Sequence, residues 1–98
     1  ERETDKLKKV EYMEQRIGEV FEGVISGVTA WGIYVELPNT IEGLVHVANL
    51  TGDYFHYNEE RYEMVGEVTN KTYKLGQKIQ VMVHSVDRIG RTIDFVIP

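Results

Sequence analysis

The chain has 98 residues, 42% of them hydrophobic and 28% charged, with no cysteine and a formal net charge of −5. That size fits one domain with a modest core, and the missing cysteines exclude disulfides, thiolate metal sites and a cysteine nucleophile. The longest stretch free of charge, residues 23–35, is 13 residues long with three glycines, well short of the roughly 20 apolar residues of a membrane helix. The N-terminus shows no basic region, apolar run or small-residue cleavage site, so a cytoplasmic, non-membrane protein is expected. The first residue is Glu1, and the chain is expected to be a piece of a longer protein.

Residues 1–17 contain no Gly or Pro and are rich in Glu, Lys, Arg and Leu, all good helix formers. Leu7, Val10, Met13 and Ile17 recur at helical spacing and form one narrow apolar stripe. Asp5 and Lys9 make a favourable i,i+4 pair worth a few tenths of a kcal/mol. One helix cannot bury that stripe by itself, so it packs either on the following domain or on a neighbour outside the chain, and the outside neighbour is the favoured cover. Gly18 ends the pattern, which divides the chain into a helix, 1–17, and a domain, 18–98.

From Gly18 the period changes from 3.6 to 2. The segment from Val20 to Val28 is β-branched and punctuated by glycine, as strands with bulges are. Trp31 to Leu37 alternates, with Ile33, Val35 and Leu37 on one face. Ile41 to Val47 is a third strand of ambiguous phase, because Leu44 and Val45 are both apolar. Tyr54–Tyr57 and Arg61–Val65 read as a small hairpin. Ile79, Val81 and Val83 alternate cleanly, and the turn Arg88-Ile89-Gly90-Arg91 leads into a last strand, Ile93–Val96. The expected fold is all-β, a five-stranded OB-type barrel with an N-terminal α-helix and an inserted hairpin.

Charge is unevenly spread. Residues 1–20 carry a net −1, residues 21–70 a net −7 with Arg61 as their one cation, and residues 71–98 a net +3. An acidic chain argues against a simple electrostatic grip on nucleic acid, and any polyanion would favour the C-terminal quarter. Ile33 and Val35 already fill the inward parity of the second strand, which leaves Trp31 and Tyr34 outside. Such aromatics either cap and edge the barrel or stack on single-stranded bases, at about 1–3 kcal/mol per base. His46 on the third strand is either a hydrogen-bonded structural residue or a ring that meets a base or a phosphate. Asp87 and Arg91, with Arg88 between them, either brace the last turn or contact bases and phosphates. Lys71, Lys74 and Lys78 either track a backbone or are solvated. His56 and His84 make no ligand spacing with His46, so neither a metal nor another cofactor is expected. No phosphate loop, acidic metal motif or nucleophile–base pair is legible, and this piece is not expected to be an enzyme.

The same residues carry a resemblance. Gly18–Ile25, Trp31-Gly32-Ile33-Tyr34-Val35, Glu42–Val47, Leu75–Val81 and Asp87–Phe95 resemble, in order, the S1-type RNA-binding domain. The resemblance implies a five-stranded OB barrel that binds single-stranded RNA through two aromatics, a histidine, and an Asp and Arg around the last turn. The matching positions are Trp31, Tyr34, His46, Asp87 and Arg91. Trp and Tyr stand where the family usually has Phe, which keeps a stacking face. Lys78 and Arg88 are added as backbone contacts.

A closer resemblance is to the C-terminal domain of bacterial ribonuclease R, a family of 3′-to-5′ exoribonucleases. It rests on the charged helix entering Ile17-Gly18-Glu19, on Asp53-Tyr54-Phe55-His56-Tyr57, and on Ile93-Asp94-Phe95. It implies a monomeric RNA-guiding module whose helix is the tail of a preceding catalytic domain, its partner within the parent chain. With two to four phosphates neutralised, log K against log salt would slope by about −1.5 to −3, with an affinity of roughly micromolar to millimolar. The alternatives are a protein-interaction barrel and an S1-type domain of another RNA protein, such as polynucleotide phosphorylase or a translation factor.

Overall fold

In the computed structural model the described residues are 8, 10–50, 52–90 and 92–98. Among the described residues eight strands follow in chain order: β1 (Val20–Thr29), β2 (Gly32–Glu36), β3 (Glu42–His46), β4 (Phe55–Asn58), β5 (Glu63–Gly66), β6 (Thr72–Lys74), β7 (Lys78–Asp87) and β8 (Thr92–Val96). A 3-10 turn, Val47–Asn49, follows β3. Five strands close into a barrel in the order β1-β2-β3-β8-β7, and β4, β5 and β6 form a separate three-stranded sheet. The all-β five-stranded barrel is as expected. The inserted hairpin gains a third strand, Thr72–Lys74, too short to show any periodicity; its Tyr73 is buried with its ring 5.4 Å from that of Phe55.

Alternation decides what fills the barrel. Ile33 and Val35 of β2, Val45 of β3, Val81 and Val83 of β7 and Phe95 of β8 are buried at 0–1% exposure. Val45 points inward, which settles the phase of β3 and leaves Leu44 on the outer face. Two long strands bend to close the curve: the register slips between Ile25 and Gly27 in β1 and between Val83 and Ser85 in β7, as β-bulges do. The last closure is parallel, with Leu44 opposite Asp94 and Val45 opposite Phe95. Gly43 makes it possible, because a Cβ there would lie 2.7 Å from Phe95 Cε2 and 2.8 Å from Ile93 O.

The N-terminal helix ends three residues before the expected Ile17 and is covered by the barrel rather than by an outside neighbour. Residues 8 and 10–14 are helical and 15–18 form a turn, closed by Arg16 N–H donating to Met13 O at 2.9 Å. Gly18, at φ 93°, redirects the chain so that its N–H reaches Val83 O at 2.8 Å. The stripe is not left for an absent neighbour: Val10 and Met13 are buried, Met13 within the barrel's own core cluster, while Ile17 is half exposed. The reason is the abrupt turn at Gly18, which folds the helix back on the barrel. Arg88 locks it there, donating through Nε at 3.0 Å and Nη2 at 2.8 Å to Glu14. Leu7 and the Asp5–Lys9 pair lie outside the described residues.

A single carboxylate organises the small sheet. Asp53 accepts from Tyr54 N, Val68 N, Thr69 N and Thr69 Oγ1 at 2.6–3.1 Å, tying the entry of β4 to the β5–β6 connection. Those donors, Thr69 foremost, hold its pKa down at about 2.

Two outcomes follow. Met13→Ala removes a fully buried side chain shared by helix and barrel and is expected to lower stability by about 2–5 kcal/mol in urea unfolding. The Asp53 contribution, from a pKa depressed below the ordinary value near 3.9, is fully present above that value and is lost as pH falls through about 2. The protection of the Val68 and Thr69 amides, measured relative to their intrinsic exchange rates, is therefore expected to hold at pH 5 and to fall between about pH 4 and 2, whereas Asp53→Asn is weakly protected throughout.

Candidate nucleic-acid interface

The outer face of β2, β3 and β8 is where the unexplained side chains meet. By alternation β2 presents Gly32, Tyr34 and Glu36, β3 presents Glu42, Leu44 and His46, and β8 presents Thr92 and Asp94. The β2–β3 register sets Gly32 opposite His46 and Tyr34 opposite Leu44, and the β3–β8 register sets Leu44 opposite Asp94. Tyr34, Leu44, His46 and Asp94 thus form one patch around a hollow of about 540 Å3. Val10 from the helix and Ile41 from the β2–β3 connection also line it.

Trp31 stands at the rim, 56% exposed. Its indole Nε1 donates to Tyr34 Oη at 3.4 Å, a long contact that keeps the two rings adjacent. The backbone of Trp31 and Gly32 is held firmly: Val47 N–H donates to Trp31 O at 2.8 Å and Thr29 Oγ1 to Gly32 O at 2.8 Å. The neighbouring glycine is required by close approach, since a Cβ at Gly32 would sit 2.2 Å from Val45 O. His46 is half exposed, with Nε2 3.5 Å from Asp94 Oδ1, while Asp94 Oδ2 accepts from Ser85 Oγ at 3.1 Å. Two aromatic faces, one imidazole and a carboxylate together suit a planar ligand with a polar edge.

The other expected contacts are not gathered here. Asp87 Oδ1 accepts from Ile89 N and Gly90 N at 3.0 and 3.1 Å, so this carboxylate braces the β7–β8 turn. Arg88 is turned onto Glu14, whose hydrogen bonds and charge raise its pKa. Lys78 opens β7 beside Glu22 and Glu36, at the end of the barrel away from His46; Gly32 and Glu36 are separated by about 13 Å of strand. Lys71 Nζ lies 5.6 Å over the Tyr73 ring. Arg91 lies outside the described residues. Sequence reasoning passed over Leu44 and Asp94, since only the parallel β3–β8 register brings them beside Tyr34 and His46. Among the described residues there is no cluster of three potential metal ligands and no helix long and apolar enough to cross a membrane.

Comparison with known proteins agrees with the barrel fold. The family model of the S1 RNA binding domain matches residues 14–97. Ribonuclease R 1 of Lactococcus lactis subsp. lactis is 50% identical over 95 residues, covering 97% of this chain and 12% of that protein. Ribonuclease R of Escherichia coli is 41% identical over 88 residues, covering 89% of this chain and 11% of its own length. The solved structure of Mycoplasma genitalium RNase R in complex with ribose-methylated single-stranded RNA superposes with a TM-score of 0.93 at 26% identity, over 99% of this chain and 15% of that one. The chain therefore spans about an eighth of the length of these relatives.

Gly32→Ala tests the local geometry. It is expected to push β2 and β3 apart at the Trp31 end, lowering stability by about 1–3 kcal/mol and shifting the amide resonances of Val45, His46 and Val47 more than those of the small sheet.

Proposed function

The chain belongs to the S1 RNA binding domain family, and we propose that it is the single-stranded RNA-binding module of a 3′-to-5′ exoribonuclease of the ribonuclease R type. The observation that carries this is the convergence of Trp31, Tyr34 and His46 on one barrel face, in a chain 50% identical over 95 residues to a segment of a ribonuclease R. Bases stack on the indole and phenol rings, and His46, beside the Asp94 carboxylate, meets a base edge. The family match begins at residue 14, so nearly all of the helix precedes it. We take that helix as the tail of a catalytic domain, folded onto the barrel and fixed by the Glu14–Arg88 pair, which makes it a rigid joint between the two. In this reading the module acts as a monomer in the cytoplasm, needs no cofactor, and leaves hydrolysis to the catalytic domain.

Electrostatics contribute less than the sequence suggests. Arg88 is held by Glu14 and Lys78 lies at the other end of the barrel beside two glutamates. Setting those two aside leaves at most about two of the expected two to four phosphate contacts, for which log K against log salt would slope by no more than about −1.4. Stacking must then supply most of the affinity, in the micromolar to millimolar range.

The experiment is a titration of the domain with a ten-nucleotide single-stranded RNA, followed by the fluorescence of Trp31, the single tryptophan. Saturable quenching is expected, with the shallow salt slope above. Trp31→Ala, followed by NMR shifts at Tyr34 and His46, is expected to weaken binding by about five- to fiftyfold. No response at millimolar RNA would replace this reading with a protein-interaction barrel.

A further inference from the structure

The hollow between Tyr34, Leu44, His46 and Asp94 has a chemistry more specific than stacking. Its walls are a phenol ring and the aliphatic side chains of Leu44, Ile41 and Val10, which fit a flat apolar body. Its polar rim holds two carboxylates, Asp94 and Glu42, together with the hydroxyls of Thr40 and Thr92 and the imidazole of His46. Glu42 is partly engaged, accepting from Ser26 Oγ. Asp94 keeps unused lone pairs after its contacts with Ser85 and His46, since a carboxylate offers about four acceptor positions. Carboxylates at this spot repel a phosphate and attract N–H donors.

We infer that this hollow is a base pocket that prefers nucleobases bearing an exocyclic amino group, with Asp94 as the residue that sets the preference. The inference rests on the reading of this face as an RNA platform and names which bases it selects. A carboxylate accepts well from the cytosine N4 amino group. Uracil carries an acceptor, O4, at that position, and bringing it against Asp94 sets two acceptors facing one another. The half-exposed setting and the competing Ser85 hydrogen bond keep the discrimination modest, at about three- to tenfold per strand.

The test uses the full 98-residue chain and ten-nucleotide homopolymers of cytidine and uridine, compared by Trp31 fluorescence. Oligocytidine is expected to bind about three- to tenfold more tightly. Replacing its bases with N4,N4-dimethylcytosine, which removes the donors, is expected to bring it down to the oligouridine level without any change in the protein. Asp94→Asn, which keeps the shape but can both donate and accept, is expected to equalise the two ligands. Glu36→Gln removes a charge from the same strand face outside the hollow and is expected to leave the ratio unchanged. Binding that depends on Trp31 but is equal for the two homopolymers, or a cytidine preference that survives dimethylation, overturns the base pocket and leaves the stacking platform standing. Failure of both homopolymers to bind overturns both readings.

Discussion

The parallel seam between β3 and β8 is the contact on which the rest of the structure depends. Its register covers two residue pairs, Leu44 with Asp94 and Val45 with Phe95. Without it the barrel would be an open five-stranded sheet with two bare edges. Gly43 lets the strands approach over the Phe95 ring, and that ring is fully buried, worth about 1.5–3 kcal/mol by burial alone. Because side chains alternate, setting Val45 and Phe95 together inside forces Leu44 and Asp94 together outside. The register that fills the core therefore also builds the hollow. A slip of one residue would turn each inward residue outward and would dismantle both at once.

The ends of the seam are secured from two sides. Gly32 presses β2 against the end of β3, and its neighbour Trp31 takes its fixed place from the Val47 hydrogen bond. On the other side the N-terminal helix drops Met13 into the core and ties Glu14 to Arg88 at the β7–β8 turn. An exposed ion pair of this kind is worth no more than about 1 kcal/mol, so the buried methionine holds the helix and the ion pair orients it. This use of Arg88 has an electrostatic consequence. A cation that the sequence places near the binding face is neutralised by the helix, and Asp87 next to it is occupied by the turn.

The barrel was legible because its strands have strict alternation in Ile33/Val35, Val81/Val83 and Ile93/Phe95, which points to one buried face. Trp31, Tyr34 and His46 were legible as apolar or titratable residues left over once that face was filled. What escaped depends on long-range geometry. Leu44 and Asp94 are 50 residues apart in sequence and meet only through the parallel seam, which no local pattern announces. The fate of Met13 turned on the direction of the chain after Gly18, and the third strand of the small sheet is three residues of ordinary composition. The charged candidates Lys78 and Arg88 were chosen by sign and position along the chain, and neither property says which carboxylate a long side chain will find.

On the proposed reading, a surface that binds through two ring faces and one base pocket, in a chain of net charge −5, lacks the long-range attraction that speeds capture of nucleic acid. Its contacts act only at short range, so complexes form slowly and part quickly. For an isolated protein that would be a defect. In the proposed setting the module is joined through its helix to a domain that already holds the strand, and tethering raises the local concentration of RNA to about the millimolar range. A micromolar to millimolar site is then substantially occupied. Every base offers a ring face, so a strand advancing by one nucleotide exchanges one stack for an equivalent one. A three- to tenfold preference for amino-bearing bases amounts to only about 0.7–1.4 kcal/mol, enough to bias dwell along the strand and too little to arrest it. Tight phosphate clamping would oppose that movement at each step, which gives a physical reason for Arg88 to be held by Glu14.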